Sequence, residues 1–442
     1  MTRLDLDFVR AQFPAFAEPS LARFSHFENA GGSFACRPVI DALDGFYRRS
    51  KVQPYYPYEP SHAAGMQMDR ARQRLAAWLN VDVDELHLGP STSQNTYVLA
   101  NAFRRYLQPG DEIVVTNQDH EANIGAWVRL RDEGIIVRTW EVDAQGTLRP
   151  EALAALLGPR TRLVAFTHCS NVIGSVHPVR EWCEVVHRAG AIAVVDGVSY
   201  APHGLPDVAA LGADVYLFSL YKVYGPHLGA MVVRRELAAA LPSQAHFFKS
   251  EAIPGRFTPA GPDHAQVAAV NGVVDYFESV AAHHARNEDK SVAAQAQRVR
   301  TLFQHAESAL LSPLLDFLSA HPRVRLIGSA QAIDRAPTVA FTVDGLSSVE
   351  VAQALARVDI GVGYGNFYAY RLMQPLGIDP AEGVVRASFV DYTSGADVDR
   401  LIAGLESTLG CKPAPRIDQQ PASNIDHAKV KQAGDSHLDS PC

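Results

Sequence analysis

The sequence predicts an α/β protein, with a large domain on a mostly parallel central sheet and a smaller C-terminal α+β domain. Three observations lead there. Between Leu86 and Arg234, short β-branched runs alternate with amphipathic stretches. The runs are almost wholly apolar, as strands covered on both faces must be. After about Ala265 the pattern changes to long Ala-rich helical stretches, followed by strands and helices in mixed order.

In chain order, the expected strands are ELHLGP, DEIVVTN, IIVRTWEV, RLVAFTHCS, AIAVVDG, DVYLFSL and GAMVVRR. Between them, helical spacing covers Gln94–Leu107, Asn123–Glu133, Pro150–Leu157 and Val179–Ala189. His264–Ser279 and Ala282–Leu311 read as helices, then VRLIGS and TVAFTVDG as strands. A helix over Ser348–Val358, the segments VGYGNFYAY and VVRASFVDY, and a helix over Ala396–Leu409 complete the second domain. The expected boundaries are an N-terminal segment over 1–28 packing on the small domain, a large domain over 29–275, and a small domain over 276–410. Residues 411–442 are polar and poor in bulky apolar side chains, which predicts a disordered tail.

A chain of 442 residues fits two domains rather than one core. Apolar residues at 47% and charged residues at 20% place it among soluble globular proteins. The net charge of −8, with no basic stripe, argues against a nucleic-acid partner. No apolar run reaches the roughly 18 residues that span a bilayer. The opening MTRLDLDFVRAQFP is mixed and acidic, unlike an export signal. Five scattered cysteines without metal spacing suggest reduced thiols, and so a cytoplasmic enzyme with no metal.

In a mostly parallel sheet, ligands sit beyond the carboxyl ends of the strands, so polar residues there carry the chemistry. Lys222 follows the run VYLFSLY, where a buried ammonium is costly unless the amine is neutral and reacts with an aldehyde. A lysine snorkelling at a strand end explains it equally well. Asp196 ends the run AIAVV and can pair with a protonated ring nitrogen, or is simply a solvated strand-end Asp or a helix cap. Ser91 and Thr92, in GPSTSQN, open a helix whose free N–H groups suit a phosphate, although Ser and Thr are also common N-caps. Ser219 can add a hydroxyl to the same anion. His120 can stack on a flat ring, and the Asn171 amide can reach a ring oxygen; an ordinary loop histidine and a turn-forming Asn are the alternatives. Arg386, inside an apolar strand, needs an anion: a substrate carboxylate or a structural ion pair. Tyr55, Tyr56, Tyr58 and Arg256 either line a pocket or serve packing and surface charge.

These residues occur in an order that resembles the class V aminotransferase family. Within it the sequence is most similar to the cysteine desulfurase and selenocysteine lyase branch. The matching strings are FENAGGSF, GPSTSQN, DHEANIGAW, HCSNVIGSVHPV, VVDGVSYAPH, FSLYKVYGPHLGA and VVRASFVDYTSGADVDRLI, which cover most of Phe27–Leu409. The resemblance implies pyridoxal-phosphate (PLP) fold type I, and a homodimer with its active site at the interface. It makes Lys222 the Schiff-base lysine for pyridoxal 5'-phosphate, Asp196 the partner of the ring nitrogen and His120 the stacking ring. It sets Asn171 near the ring oxygen, and Ser91, Thr92 and Ser219 near the phosphate. Arg386 would hold the substrate carboxylate, with Asn29 of FENAGG and Tyr368 beside the substrate.

Four positions depart from the family pattern. Desulfurases carry a reactive cysteine in a GHxCA-like loop, whereas here GNFYAYRLM puts Tyr368 at that place. Ser199 stands where Gln usually contacts the ring oxygen, and Tyr221 where His usually precedes the lysine. FTPAGPDH replaces a GTPN-like string, so that Gly261 takes the place of a Thr that reaches the partner's phosphate. A phenol forms no persulfide. The expected reaction is therefore an elimination or C–S/C–Se lyase-type cleavage of an amino acid. Transamination is the alternative, with epimerisation or a binding protein without turnover behind it.

Overall fold

The computed structural model describes residues 3–249, 255–285 and 289–410. Residues 411–442, where a disordered tail was expected, lie outside that range, and with them Cys411 and Cys442. The N-terminal segment contributes β1 (Ser25–Phe27). The seven expected apolar runs become β2 (Leu86–Gly89), β3 (Glu112–Thr116), β4 (Ile136–Trp140), β5 (Thr161–Thr167), β6 (Ile192–Asp196), β7 (Val215–Ser219) and β8 (Gly229–Val233). They form one sheet in the order β2-β8-β7-β6-β5-β3-β4. The β7–β6, β6–β5, β5–β3 and β3–β4 pairs are parallel, and β8 runs antiparallel to both its neighbours. Apolar clusters cover both faces, so β3, β7 and β8 are buried along their whole length.

The second sheet is built from β9 (Val324–Ile327), β10 (Thr338–Val343), β11 (Ile360–Gly365) and β12 (Val384–Ser388), with β1 at its edge in the order β1-β11-β12-β10-β9. β1 pairs parallel with β11, and a bridge from Glu28 to Ser388 carries the N-terminal segment on beside β12. Arg10 strengthens this attachment through Asp397 and the Tyr392 carbonyl.

Three boundaries differ from the helical periodicity. The pattern over Asn123–Glu133 breaks into a short helix, Gly125–Val128, and a 3-10 turn, Arg129–Glu133, which Gly134 ends at φ 80°. Gly134 supplies the left-handed conformation that stops the turn. The helix from His264 runs to His283, straight across the boundary expected at 275/276, and packs against Arg37–Arg49 and Glu59–Trp78. The next helix starts only at Val292, capped by Ser291, and runs through Pro313 to Ala320. Among the described residues, no helix is long and apolar enough to cross a membrane.

Candidate active site

The parallel strands β3, β5, β6 and β7 all present their carboxyl ends on one side of the sheet, where their polar residues converge. A single cavity there is lined by Thr92, His120, Asn171, Asp196, Ser199, Ser219, Tyr221 and Lys222, with Ser93, Ala122, Thr167 and Val198. Eight residues singled out in the sequence thus share one cleft.

Lys222 arrives there because β7 stops at Ser219 and a 3-10 turn over Leu220–Lys222 folds back over the sheet end. Its side chain is buried, and no hydrogen bond to Nζ is found among the described residues. Burial, then the charge of Arg386, lowers its ammonium to a pKa of about 8, against the opposing charges of Asp196 and Glu28. Asp196 ends β6 with Oδ1 accepting from Val198 N at 2.8 Å. Burial pushes its carboxyl above the usual carboxylate range, against the Val198 hydrogen bond and the Lys222 charge.

His120 caps a short turn after β3, with Nδ1 accepting from Ala122 N at 3.1 Å. That bond leaves Nε2 to carry the proton of the neutral ring. Burial, then the charges of Lys222 and Arg386, bring its pKa down to about 3, so the ring stays neutral. Its loop is tied down by Asp119, a residue the sequence reading passed over. The Asp119 carboxyl accepts from Asn123 Nδ2 at 2.6 Å and from Thr116 Oγ1.

The helix Thr92–Arg104 points its first turn into the same cleft. Thr92 Oγ1 lies 2.8 Å from Ser219 Oγ, and the first N–H groups of a helix have no partner within it. Gly229 permits this approach: a Cβ there would stand 2.4 Å from Thr92 N. Ser91 lies outside the cavity lining, and its hydroxyl caps its own helix by accepting from Gln94 N at 3.1 Å. Tyr221 stacks on His227, with ring centroids 4.7 Å apart.

Arg386 of the small domain stands beside the cleft, outside its lining, and reaches it through the lining residue Asn171. Arg386, 3% exposed on β12, donates from Nη1 to the Asn171 carbonyl at 2.8 Å. Its Nη2 meets Glu28 Oε1 at 2.5 Å, and Nε meets Oε2 at 3.4 Å. The ion-pair alternative for Arg386 is thus realised, through a glutamate the sequence reading did not single out. Phe367 lies flat against the guanidinium, 3.7 Å from its carbon to the ring centre. Asn171 spends Nδ2 on the Phe367 carbonyl at 2.9 Å, while its Oδ1 is buried without a partner.

Three expected residues stand elsewhere. Asn29 spends its side chain within the protein: Nδ2 donates to the carbonyls of His26 and Ser388, and Oδ1 accepts from Tyr392. Tyr368 is 63% exposed, touches the His120 ring at 5.1 Å and opens onto a neighbouring groove with Glu121 and Arg371. Gly261 lines a separate cavity with Tyr55, Arg72 and His87, outside its own chain's cleft. Tyr55, Tyr56 and Tyr58 are exposed, and Arg256 donates to the Leu241 carbonyl. None of these four lines the cleft.

The cleft fits a flat phosphorylated aldehyde. Donors for a phosphate stand at the helix start, an amine lies within, a carboxylate closes one end and the Asn171 Oδ1 awaits a donor. Comparison with known proteins agrees. The profile of the aminotransferase class-V family matches residues 25–300 and 300–401.

The chain belongs to the class V aminotransferase family.

This class V chain is 34% identical over 417 residues to the aminotransferase-like protein FGM3 of Gibberella zeae, covering 91% of this chain and 98% of that protein. It is 28% identical to a cysteine desulfurase of Pectobacterium carotovorum, covering 91% and 97%. The crystal structure of the cysteine desulfurase CsdA from Escherichia coli superposes with a TM-score of 0.78 at 25% identity, covering 92% and 98%. The chain is therefore a cysteine desulfurase-like, PLP-dependent enzyme of fold type I.

Proposed function

We propose that this enzyme acts on an amino acid with its cofactor held on Lys222, and that its reaction is an elimination or C–S/C–Se lyase-type cleavage without a persulfide-forming cysteine. The observation that carries this reading is Lys222 itself: a buried amine with a pKa of about 8, in one cavity with Asp196, His120 and the start of a helix. Bound there, pyridoxal 5'-phosphate supplies an electron-withdrawing ring that weakens the bonds at the substrate's α-carbon. Asp196 would hold a proton at the ring nitrogen, and the neutral His120 would stand against the ring. Thr92, Ser219 and the helix N–H groups would hold the phosphate. Ser199, Asn171 and Tyr221 would line the ring and its oxygen. Arg386 orients the α-carboxylate, and the Lys222 amine removes the α-proton. A group on the β-carbon then departs with the electron pair of its bond.

The thiols among the described residues favour a reaction without a persulfide step. Cys36, Cys169 and Cys183 are buried, and burial pushes each thiol up to about 12, so none is a ready nucleophile. At the desulfurase cysteine position, the Tyr368 phenol forms no persulfide and is left to shape the approach to the cleft or to move protons. Transamination is the second reading, favoured by the name of the 34% identical relative.

One assay separates the two. Holoenzyme is given β-chloro-L-alanine with no 2-oxo acid. Elimination consumes one water and yields pyruvate, ammonium, chloride and a proton in equal amounts. Turnover that waits for a 2-oxo acid acceptor would sink the elimination reading. We also propose a homodimer, in which Gly261 and the exposed Tyr55, Tyr56 and Tyr58 face the second copy. Sedimentation at a single chain mass would refute it.

A further inference from the structure

A planar guanidinium grips a carboxylate best through two parallel N–H groups. On Arg386, the Nε/Nη2 edge that offers such a pair is held by Glu28, at 3.4 and 2.5 Å. The third nitrogen, Nη1, is engaged with the Asn171 carbonyl, and Phe367 covers one face. An incoming α-carboxylate thus meets an arginine that already carries a carboxylate.

The chain makes room for this arrangement. A Cβ on Gly31 would stand 2.7 Å from Glu28 Oε1, and one on Gly363 would stand 2.6 Å from Oε2. Two glycines from different segments therefore clear the space that the Glu28 carboxylate fills. The two partners are unequal in exposure. The Arg386 side chain is 3% exposed and that of Glu28 is 29%, so Glu28 is the partner that can swing toward solvent while Arg386 stays in place. A buried guanidinium without an anion is strongly unfavourable, which makes an internal counter-ion useful whenever substrate is absent. Glu28 also reaches the reacting amine, since its charge opposes that of Arg386 at Lys222.

We propose that Glu28 is a specificity-determining residue of this site: its carboxylate stands on Arg386 in place of a substrate carboxylate, and an amino acid enters by displacing it. This rests on the reading of Arg386 as the substrate-carboxylate holder. An amine that lacks a carboxylate leaves the Glu28–Arg386 pair intact and loses nothing. An α-amino acid must replace one carboxylate by another, so Glu28 narrows the affinity gap between amino acids and simple amines.

The test uses holoenzyme and two probes, glycine and methylamine, with binding followed by the change in the cofactor's absorption. Glu28→Gln removes the competing charge. Gly31→Ala keeps the charge and pushes the carboxylate off its seat. We expect both variants to bind glycine about tenfold tighter, roughly 1.4 kcal/mol, with methylamine unchanged. Unchanged or weaker glycine binding overturns the proposal, as does an equal gain for methylamine. If Glu28→Gln does not fold, Gly31→Ala and the shorter Glu28→Asp carry the same comparison. Arg386→Lys separates the two layers of the argument. If glycine binds that variant as well as wild type, the role of Arg386 itself fails. If glycine is lost there but unmoved by the Glu28 and Gly31 variants, only the displacement fails.

Discussion

At the sheet end of the cleft, Lys222, Asp196 and His120 sit where β7, β6 and β3 stop, and each is placed by its own strand or the turn after it. At the small-domain end, Arg386 depends on Glu28, Asn171 and Phe367, which come from three distant segments. Local placement suits a fixed cofactor, because the strands are buried and cannot shift independently. Assembly from several segments suits a substrate that must enter and leave. The contrast matches what the family shares, which is the cofactor, and what its members vary, which is the reaction.

Removing Lys222 tests the sheet end most severely. Lys222→Ala deletes both the covalent anchor and the base that moves the α-proton. A general base alone contributes about 10²–10⁴-fold, so turnover is expected to fall by at least that factor. Borohydride treatment followed by peptide mass analysis should find the cofactor on Lys222 in wild type and nowhere in the variant. A borohydride-stable adduct on another lysine of the variant would remove Lys222 from its central place. An equally severe loss in Arg386→Lys would erase the contrast between the two ends.

Much of the sheet end was legible in the sequence, because a polar residue closing an apolar run marks a strand end in any α/β sheet. Lys222 after VYLFSLY and Asp196 after AIAVV carry that mark. The small-domain end was only half legible. Arg386 showed a need for an anion, but Glu28 lies 358 positions away and announces nothing by itself. A charged residue between Phe27 and a run of small residues, FENAGG, was the available signal. Asn29 in the same string was read as a substrate ligand, yet the carbonyls of His26 on β1 and Ser388 on β12 take up its amide N–H groups. Side-chain satisfaction of that kind depends on tertiary neighbours that no local pattern encodes. The same holds for Ser91, whose hydroxyl closes its own helix start.

The two ends are coupled by charge, and pH exposes the coupling. Lys222 must be neutral to attack the cofactor's aldehyde. Its pKa of about 8 means that the reactive fraction rises with pH and levels off above that value. Covalent loading of apoprotein with pyridoxal 5'-phosphate should follow this rise. Glu28 raises the Lys222 pKa, so Glu28→Gln leaves the Arg386 charge less opposed and moves the midpoint to lower pH. Stopped-flow absorbance across pH 6–10 reads both profiles. His120, already neutral with a pKa of about 3, contributes no inflection in that window. Coincident midpoints for wild type and Glu28→Gln would show that the two ends are electrically independent.

The smallest effect is expected where the ends meet, in the loop Asn366–Tyr368. Phe367 and Tyr368 adopt φ values of 51° and 57°, a left-handed conformation that costs side-chain-bearing residues about 1–2 kcal/mol each. The loop is held there by Asn171 Nδ2 on the Phe367 carbonyl, Glu121 N on the Tyr368 carbonyl, and Tyr368 N on Asn366 Oδ1. Tyr368→Gly relieves one strained position but frees the unfolded chain, so stability should rise by no more than about 1 kcal/mol. The phenol is 63% exposed and its ring stands 5.1 Å from that of His120, so kcat should change less than about tenfold, below the effect of removing a proton-transfer group. Chemical denaturation of apoprotein and steady-state rates of holoenzyme measure the two quantities separately. A loss beyond about 100-fold in kcat would give the Tyr368 hydroxyl a direct part in proton transfer. The substrate end would then contain a catalytic group of its own, and the division between a fixed cofactor end and an assembled substrate end would have to be redrawn around residue 368.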